Sequence, residues 1–550
     1  MVQFERVKTR DYGQEIQRAL DRGDYRNALR IALRQQEKRP DDHAVAHYAA
    51  TVYIDAGQGL KDVGLIEKGI RWFETQARGI FLPNCPKEAG LFYNLANGYA
   101  ARLKLRGTHV ELVKLSQERD AMQQKILYRR AAQASGQSDP DLTTRSLVNF
   151  GNLLRQLGRW VEAADQYDAA LDLHPRHGPA LVHSAKTLLQ IGHLARQSRE
   201  PHLLEIHHRL AMALRSRKST IRVAGPKLLQ QASEDLEVVL SSLKAHGGLE
   251  RVASRVRRRE RLAETRRGDM GRFVKLWAQK RLFLSINARL RGHRAYWLDD
   301  IAPIRLQEQD GFSESLRSEL AYRIEEMMTD YTVARFLFTI ADQYSARRMG
   351  QLVALAAPLR GVSDAQGSGV PILKVSYRVA ADILDKGAGY INALCGLQVR
   401  EKAVYLGTVW HEKGDTQKPL SASALRAIDR NSYVRGIYDL SLDWHNVDLD
   451  NRLRLIRHAL THRYLPIHLE PPGEDTRSDR DLAAQEMKAL TLFALKTARA
   501  VVFHCVGATE MEDRIRAESP SGVRCPSNSI ETPGLQATSP DPSDAYSPPS

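Results

Sequence analysis

The sequence predicts an all-α protein in which a helical-repeat array precedes a helical bundle. Three observations predict it. Apolar residues recur at three- and four-residue spacing over long stretches, the period of an amphipathic helix. A two-helix unit recurs, in degenerate form, through residues 10–215. At 550 residues the chain exceeds what one core organises, so two to four domains are expected. A hydrophobic content of 43% and a charged content of 27% are ordinary for globular domains.

The best repeat unit is Thr144–Pro175. Leu147, Gly151, Leu154 and Gly158 are followed by Trp160, Ala163, Tyr167, Ala170 and Pro175. These spacings match the tetratricopeptide (TPR) pattern of two antiparallel helices in about 34 residues. Close packing explains the small residues: Gly151 is expected where the first helix meets Ala163 of the second. Pro175 ends the unit because it cannot continue the hydrogen-bond ladder. Upstream, Gly23-Asp24-Tyr25, Ala28 and Pro40 repeat the second half, and Tyr93-Asn94-Leu95-Ala96-Asn97-Gly98-Tyr99 the first; His177–Leu194 resembles a further first helix. Helices that bury one face only against neighbours are stable through such stacking.

Residues 216–330 read as a basic helical connector. Periodicity persists through Leu228–Leu243 and Phe273–Leu282, and the apolar stretch Arg281–Asn287 fits an extended segment. Between them, Arg251 to Arg267 holds eight arginines against Glu260 and Glu264. From 331 to 515 a helical bundle is expected, with helices over Ala321–Tyr344, Ile372–Leu394, Ser423–Leu442, Leu449–His462 and Leu482–Val506. Gly361–Pro371 and Gly414–Ser421 read as loops. Residues 516–550 are rich in Ser and Pro, with seven prolines from Pro520 to Pro549; such a tail is expected to be disordered.

A net charge of +16 fits a polyanionic partner, and equally an Arg-rich soluble surface. The sequence shows no membrane-length apolar run and no secretory leader, so a cytoplasmic protein is expected. Cys85, Cys395, Cys505 and Cys525 are scattered, without zinc-type spacing. No phosphate-binding loop or nucleophile elbow appears, and Gly387-Ala388-Gly389 alone does not make one. The pairs His43/His47 and His207/His208 are expected at the surface.

The informative cluster runs from Arg457 to His468. His458, His462 and His468 have the spacing of metzincin zinc ligands, and His458 and His462 share a helix face. That chemistry needs a glutamate base where Ala459 stands and a glycine where Leu465 stands. No metal or other cofactor is therefore expected. Metal-free RNA cleavage suits the residues better. A 2′-hydroxyl becomes a nucleophile when a base takes its proton, and histidine titrates near neutrality, at about 6.5. A guanidinium holds the charge that grows on the phosphoryl oxygens. Spacing alone does not single out a pair, because R-x4-H also occurs at Arg463/His468 and Arg499/His504. Only Arg457 is followed by a second residue of the required type, His458.

Arg457-His458-Ala459-Leu460-Thr461-His462 resembles the signature of the HEPN domains, an Arg, then Asn, Asp or His, three residues, then His. Arg281-Leu282-Phe283-Leu284, Leu373-Lys374-Val375-Ser376-Tyr377-Arg378 and Leu384-Asp385-Lys386 add to the likeness. Together they resemble the bacterial HEPN subfamily with N-terminal TPR repeats. The resemblance implies a metal-independent endoribonuclease, often a homodimer with paired motifs facing one cleft, and many such relatives act in prokaryotic defence or as toxins. It implies that Arg457 stabilises the phosphorane, His462 acts as acid or base, and His458, where Asn is commoner, orients His462 or touches phosphate. Lys374 and Arg378, one helical turn apart, would line the RNA cleft.

A reading from another class is a non-catalytic scaffold. Its repeats would grip a protein or peptide partner while the bundle serves dimerisation, since a fold alone does not establish chemistry.

Overall fold

The computed structural model describes residues 2–78, 86–106, 119–136, 138–194, 199–264, 271–285, 299, 312–343, 369–445, 456, 467–468 and 482–517. Helices dominate them, as expected. The array is built from α1 (Val2–Asp21) and α2 (Tyr25–Lys38), α3 (His43–Leu60) and α4 (Val63–Arg78), α5 (Pro86–Arg106) and α6 (Arg119–Ser135), α7 (Pro140–Gln156) and α8 (Trp160–Leu173), and α9 (Gly178–Ile191) and α10 (Arg199–Arg215).

Local chemistry sets these boundaries. Asp24, Asp42 and Asp139 cap α2, α3 and α7 by accepting from free backbone N–H groups of the first turn. The α1–α2 and α7–α8 turns are equivalent. Gly23 and Gly158 have φ of 73° and 81°, and the next residue's N–H reaches back to Ala19 and Leu154 respectively. Gly151 is a point of close helix approach, as expected: a methyl group there would lie 2.6 Å from the Tyr167 ring of the paired helix.

The connector comprises α11 (Arg217–Ala245), kinked at Gly225–Pro226, α12 (Leu249–Glu264) and α13 (Gly271–Lys280). Residues 281–285 are non-helical, as the sequence predicts, and act as a buried strap. The Leu282 carbonyl accepts from Tyr331 Oη at 2.8 Å and Arg335 Nη1 at 3.0 Å. The Phe283 carbonyl accepts from Arg499 Nε at 2.5 Å.

The bundle contains α14 (Glu314–Gln343), α15 (Gly369–Cys395), α16 (Ala422–Arg430), α17 (Ser432–His445) and α18 (Ala484–Ala517). α14 runs across the expected boundary at residue 331. The single helix expected over Ser423–Leu442 is two. Asn431 breaks it by accepting from the Tyr433 and Val434 N–H groups while donating to the Ala508 carbonyl, so it caps α17 and ties it to α18. α18 also starts later than expected, because Leu482–Ala483 form β2, paired in parallel with β1 (Ile467–His468).

α18 corrects another expectation. By length and composition Ala484–Arg516 is apolar enough to cross a bilayer, although 72% of its most apolar window is buried. One apolar core runs from Ala50 to Ala508 through both array and bundle. A smaller core holds the first helix pairs together. The serine- and proline-rich tail from 518 lies outside the described residues.

Candidate active site

Three helices define one end of the bundle. α14 and α15 are antiparallel: Ser376 Oγ donates to the Ala334 carbonyl at 2.7 Å, and Lys386 Nζ reaches Glu326 at 2.6 Å and Asp330 at 2.5 Å. α15 and α18 are parallel, with Gly387 against Val501 and Tyr390 Oη hydrogen-bonded to Thr509 Oγ1 at 2.5 Å. The C-terminus of α14 therefore meets the N-termini of α15 and α18, and an ion pair between Lys488 and Asp342 closes this end. The β1–β2 pair sits directly before α18, where the Ala483 N–H donates to Glu486 Oε2 at 3.1 Å.

The proposed catalytic trio, Arg457, His458 and His462, lies outside the described residues, as does most of the helix expected over Leu449–His462. Both flanks are described. Ile456 is buried in the shared core, and Ile467–His468 pair with the strand that leads into α18. Lys374 and Arg378 stand in the first part of α15, toward this same end. Lys374 is half-buried, and burial lowers its ammonium pKa. Arg378 is exposed.

The remaining histidine candidates divide between surface and packing. His43 is exposed, but His47 is half-buried against Trp72 and Phe73 and pairs with Asn94 Nδ2 at 3.0 Å. His207 is half-buried and His208 exposed. Arg499 and His504, the competing R-x4-H pair, are both buried in α18, Arg499 engaged by the backbone strap. No group of three or more His, Cys, Asp or Glu side chains suited to a metal ion occurs among the described residues.

Sequence reasoning missed a buried ionic seam between array and bundle. Lys125 of α6 lies 3.1 Å from both oxygens of Asp439 and 2.5 Å from Asp443, both on α17. Arg159, at the α7–α8 turn, reaches Asp439 at 3.1 Å and also bonds Asp443. Its other edge grips Glu162 at 2.7 and 2.9 Å, and Glu162 lies 3.5 Å from His504 Nε2. Two array cations thus meet two bundle carboxylates, and an array carboxylate faces a bundle imidazole.

The charges settle the titration. Burial alone raises a carboxyl, yet Arg159 and His504 hold Glu162 down at about 2. Burial is likewise overcome at Asp443 by Lys125 and Arg159, which keep it below the usual carboxylate range. At Asp439 burial prevails and its pKa rises. The one signal in the sequence was Asp439 and Asp443 sharing a helix face in an otherwise apolar stretch.

A family model described as LA2681-like HEPN matches residues 314–512, from the first turn of α14 to near the end of α18. This supports a HEPN domain at that position, as the motif resemblance implies, and the match does not extend to the helical repeats. No curated protein and no solved structure matches the chain.

Proposed function

We propose that this protein is a metal-independent endoribonuclease of the HEPN type, with Arg457 and His462 as its reacting pair. The observation behind this reading is that the HEPN match at 314–512 contains the one R-x4-H pair that is followed by a second polar signature residue, His458. His462 takes the proton of a ribose 2′-hydroxyl, whose oxygen attacks the adjacent phosphorus. Arg457 holds the phosphoryl oxygens as negative charge accumulates there. The bond to the 5′-oxygen breaks, a proton returns to that oxygen, and a 2′,3′-cyclic phosphate remains. No electron acceptor or metal enters this balance.

His458 orients His462 or touches phosphate, and Lys374 and Arg378 contact the RNA backbone. The repeats bind a protein or peptide partner, and two copies pair their motifs across one cleft in the cytoplasm. A substrate test follows from the nucleophile. RNA carrying 2′-O-methyl groups throughout is expected to stay intact while unmodified RNA of the same sequence is cut. Equal cutting of both contradicts the reading.

A further inference from the structure

The arginine-rich helix of the connector belongs to neither the seam nor the bundle end. α12 lies on α10 through its apolar side: Val252 and Val256 are 0% and 1% exposed. Two of its arginines are tethered on one edge. Arg255 Nη2 reaches Glu200 Oε1 at 2.6 Å and the His246 carbonyl at 2.6 Å, and Arg259 reaches Glu200 Oε2 at 3.4 Å. Arg251, Arg257 and Arg258 are exposed, with no carboxylate partner among the described residues. Even the tethered pair keeps 41% and 60% of its side-chain surface in solvent.

The position of this helix adds to its charge. α13 follows closely in the chain and packs on the C-terminal half of α14: Phe273 stacks edge-on against Phe336, and Trp277 Nε1 donates to Thr339 Oγ1 at 2.6 Å. That half of α14 ends at the Lys488–Asp342 pair, the bundle end to which the flank of the motif is anchored.

We infer that the exposed arginine face of α12 is a docking surface for the phosphate backbone of RNA. A solvated helix on which arginines outnumber carboxylates, two of them sharing the Glu200 carboxylate, attracts a polyanion and gains from counterion release. A lipid surface fits less well, because the apolar residues that a membrane-binding helix inserts are spent on the array. A protein partner fits less well too, since interfaces that favour arginine set it among aromatic side chains, and Leu249–Glu264 contains none. The inference takes its RNA partner from the ribonuclease reading but needs none of its chemistry.

The test is equilibrium binding of a fluorescein-labelled single-stranded RNA to the full chain across a salt series, followed by anisotropy, with and without His462→Ala. The triple variant Arg251→Gln, Arg257→Gln, Arg258→Gln changes only exposed side chains. It is expected to weaken binding about tenfold and to reduce the slope of log K against log salt by about 2, the value for three lost contacts to a single strand. An equal charge change at Arg26, Arg30 and Arg34 of α2, also exposed, is expected to alter affinity less than about twofold by the same rule. RNA that binds through α12 but is never cut supports this inference while contradicting the ribonuclease reading. Unchanged affinity and slope in the triple variant overturn it. So does loss of binding to phosphatidylserine vesicles without any loss of binding to RNA.

Discussion

Lys125 places its Nζ 3.1 Å from both carboxylate oxygens of Asp439, a residue 314 positions later, and neither side chain is exposed. A cation from the repeat array is thereby sealed against a carboxylate of the bundle. Removing one partner leaves a buried charge uncompensated, which typically costs about 3–5 kcal/mol. Lys125→Met is expected to destabilise the chain by that amount in urea unfolding. Adding Asp439→Asn should recover part of the loss, because only one of the two carboxylates left to Arg159 is then charged. A single variant as stable as wild type contradicts the sealed seam.

Acid should loosen the same junction. The Glu162 carboxyl is held at about 2 when folded against an ordinary 4.5. Because the folded value is the lower one, Glu162 contributes its full stability above about 4.5 and loses it as pH falls toward about 2. Asp439, whose pKa is raised, acts with the opposite sign, so a comparison with Glu162→Gln isolates the Glu162 share. Stability measured from neutral pH downward should fall less steeply in the variant across that window. Parallel curves count against the Arg159–Glu162–His504 arrangement.

The legible and illegible parts of this molecule divide by range. Helix pairs such as Pro140–Gln156 and Trp160–Leu173 were readable because their period, caps and terminating turn are local. The strap at 281–285 was readable as a break in that period. The break at Asn431 was not, because its cause is partly a hydrogen bond to Ala508 in another helix. The seam was illegible for the same reason: Asp439 and Asp443 share a helix face, but nothing near Lys125 in sequence announces either as its partner. Of the candidate site, Lys374 and Arg378 were placed on a helix correctly, whereas Arg457, His458 and His462 lie outside the described residues.

Two equivalent glycines should tolerate change unequally. Gly23 and Gly158 both have positive φ, which costs an L-residue roughly 1–2 kcal/mol. A methyl group at Gly23 meets open space, whereas at Gly158 it collides with the Ser432 carbonyl oxygen across the seam. Gly23→Ala is therefore expected to cost only the backbone term. Gly158→Ala should cost at least about 2 kcal/mol more, in the range of overpacking, and also weaken the array–bundle contact. Equal midpoints in thermal unfolding of the two variants contradict this difference.

If Lys374 and Arg378 line the RNA path, their loss weakens ground-state and transition-state binding alike. Lys374→Gln with Arg378→Gln is then expected to raise KM several-fold and leave kcat near its wild-type value. Steady-state cleavage of a labelled RNA checks this. A fall in kcat at unchanged KM removes these two residues from the substrate path.

The most direct measurement is cleavage of single-stranded RNA by the full chain in EDTA, with His462→Ala beside it. Activity that persists in EDTA and disappears in His462→Ala is the predicted result. Cleavage abolished by EDTA, or undiminished in the variant, contradicts the account.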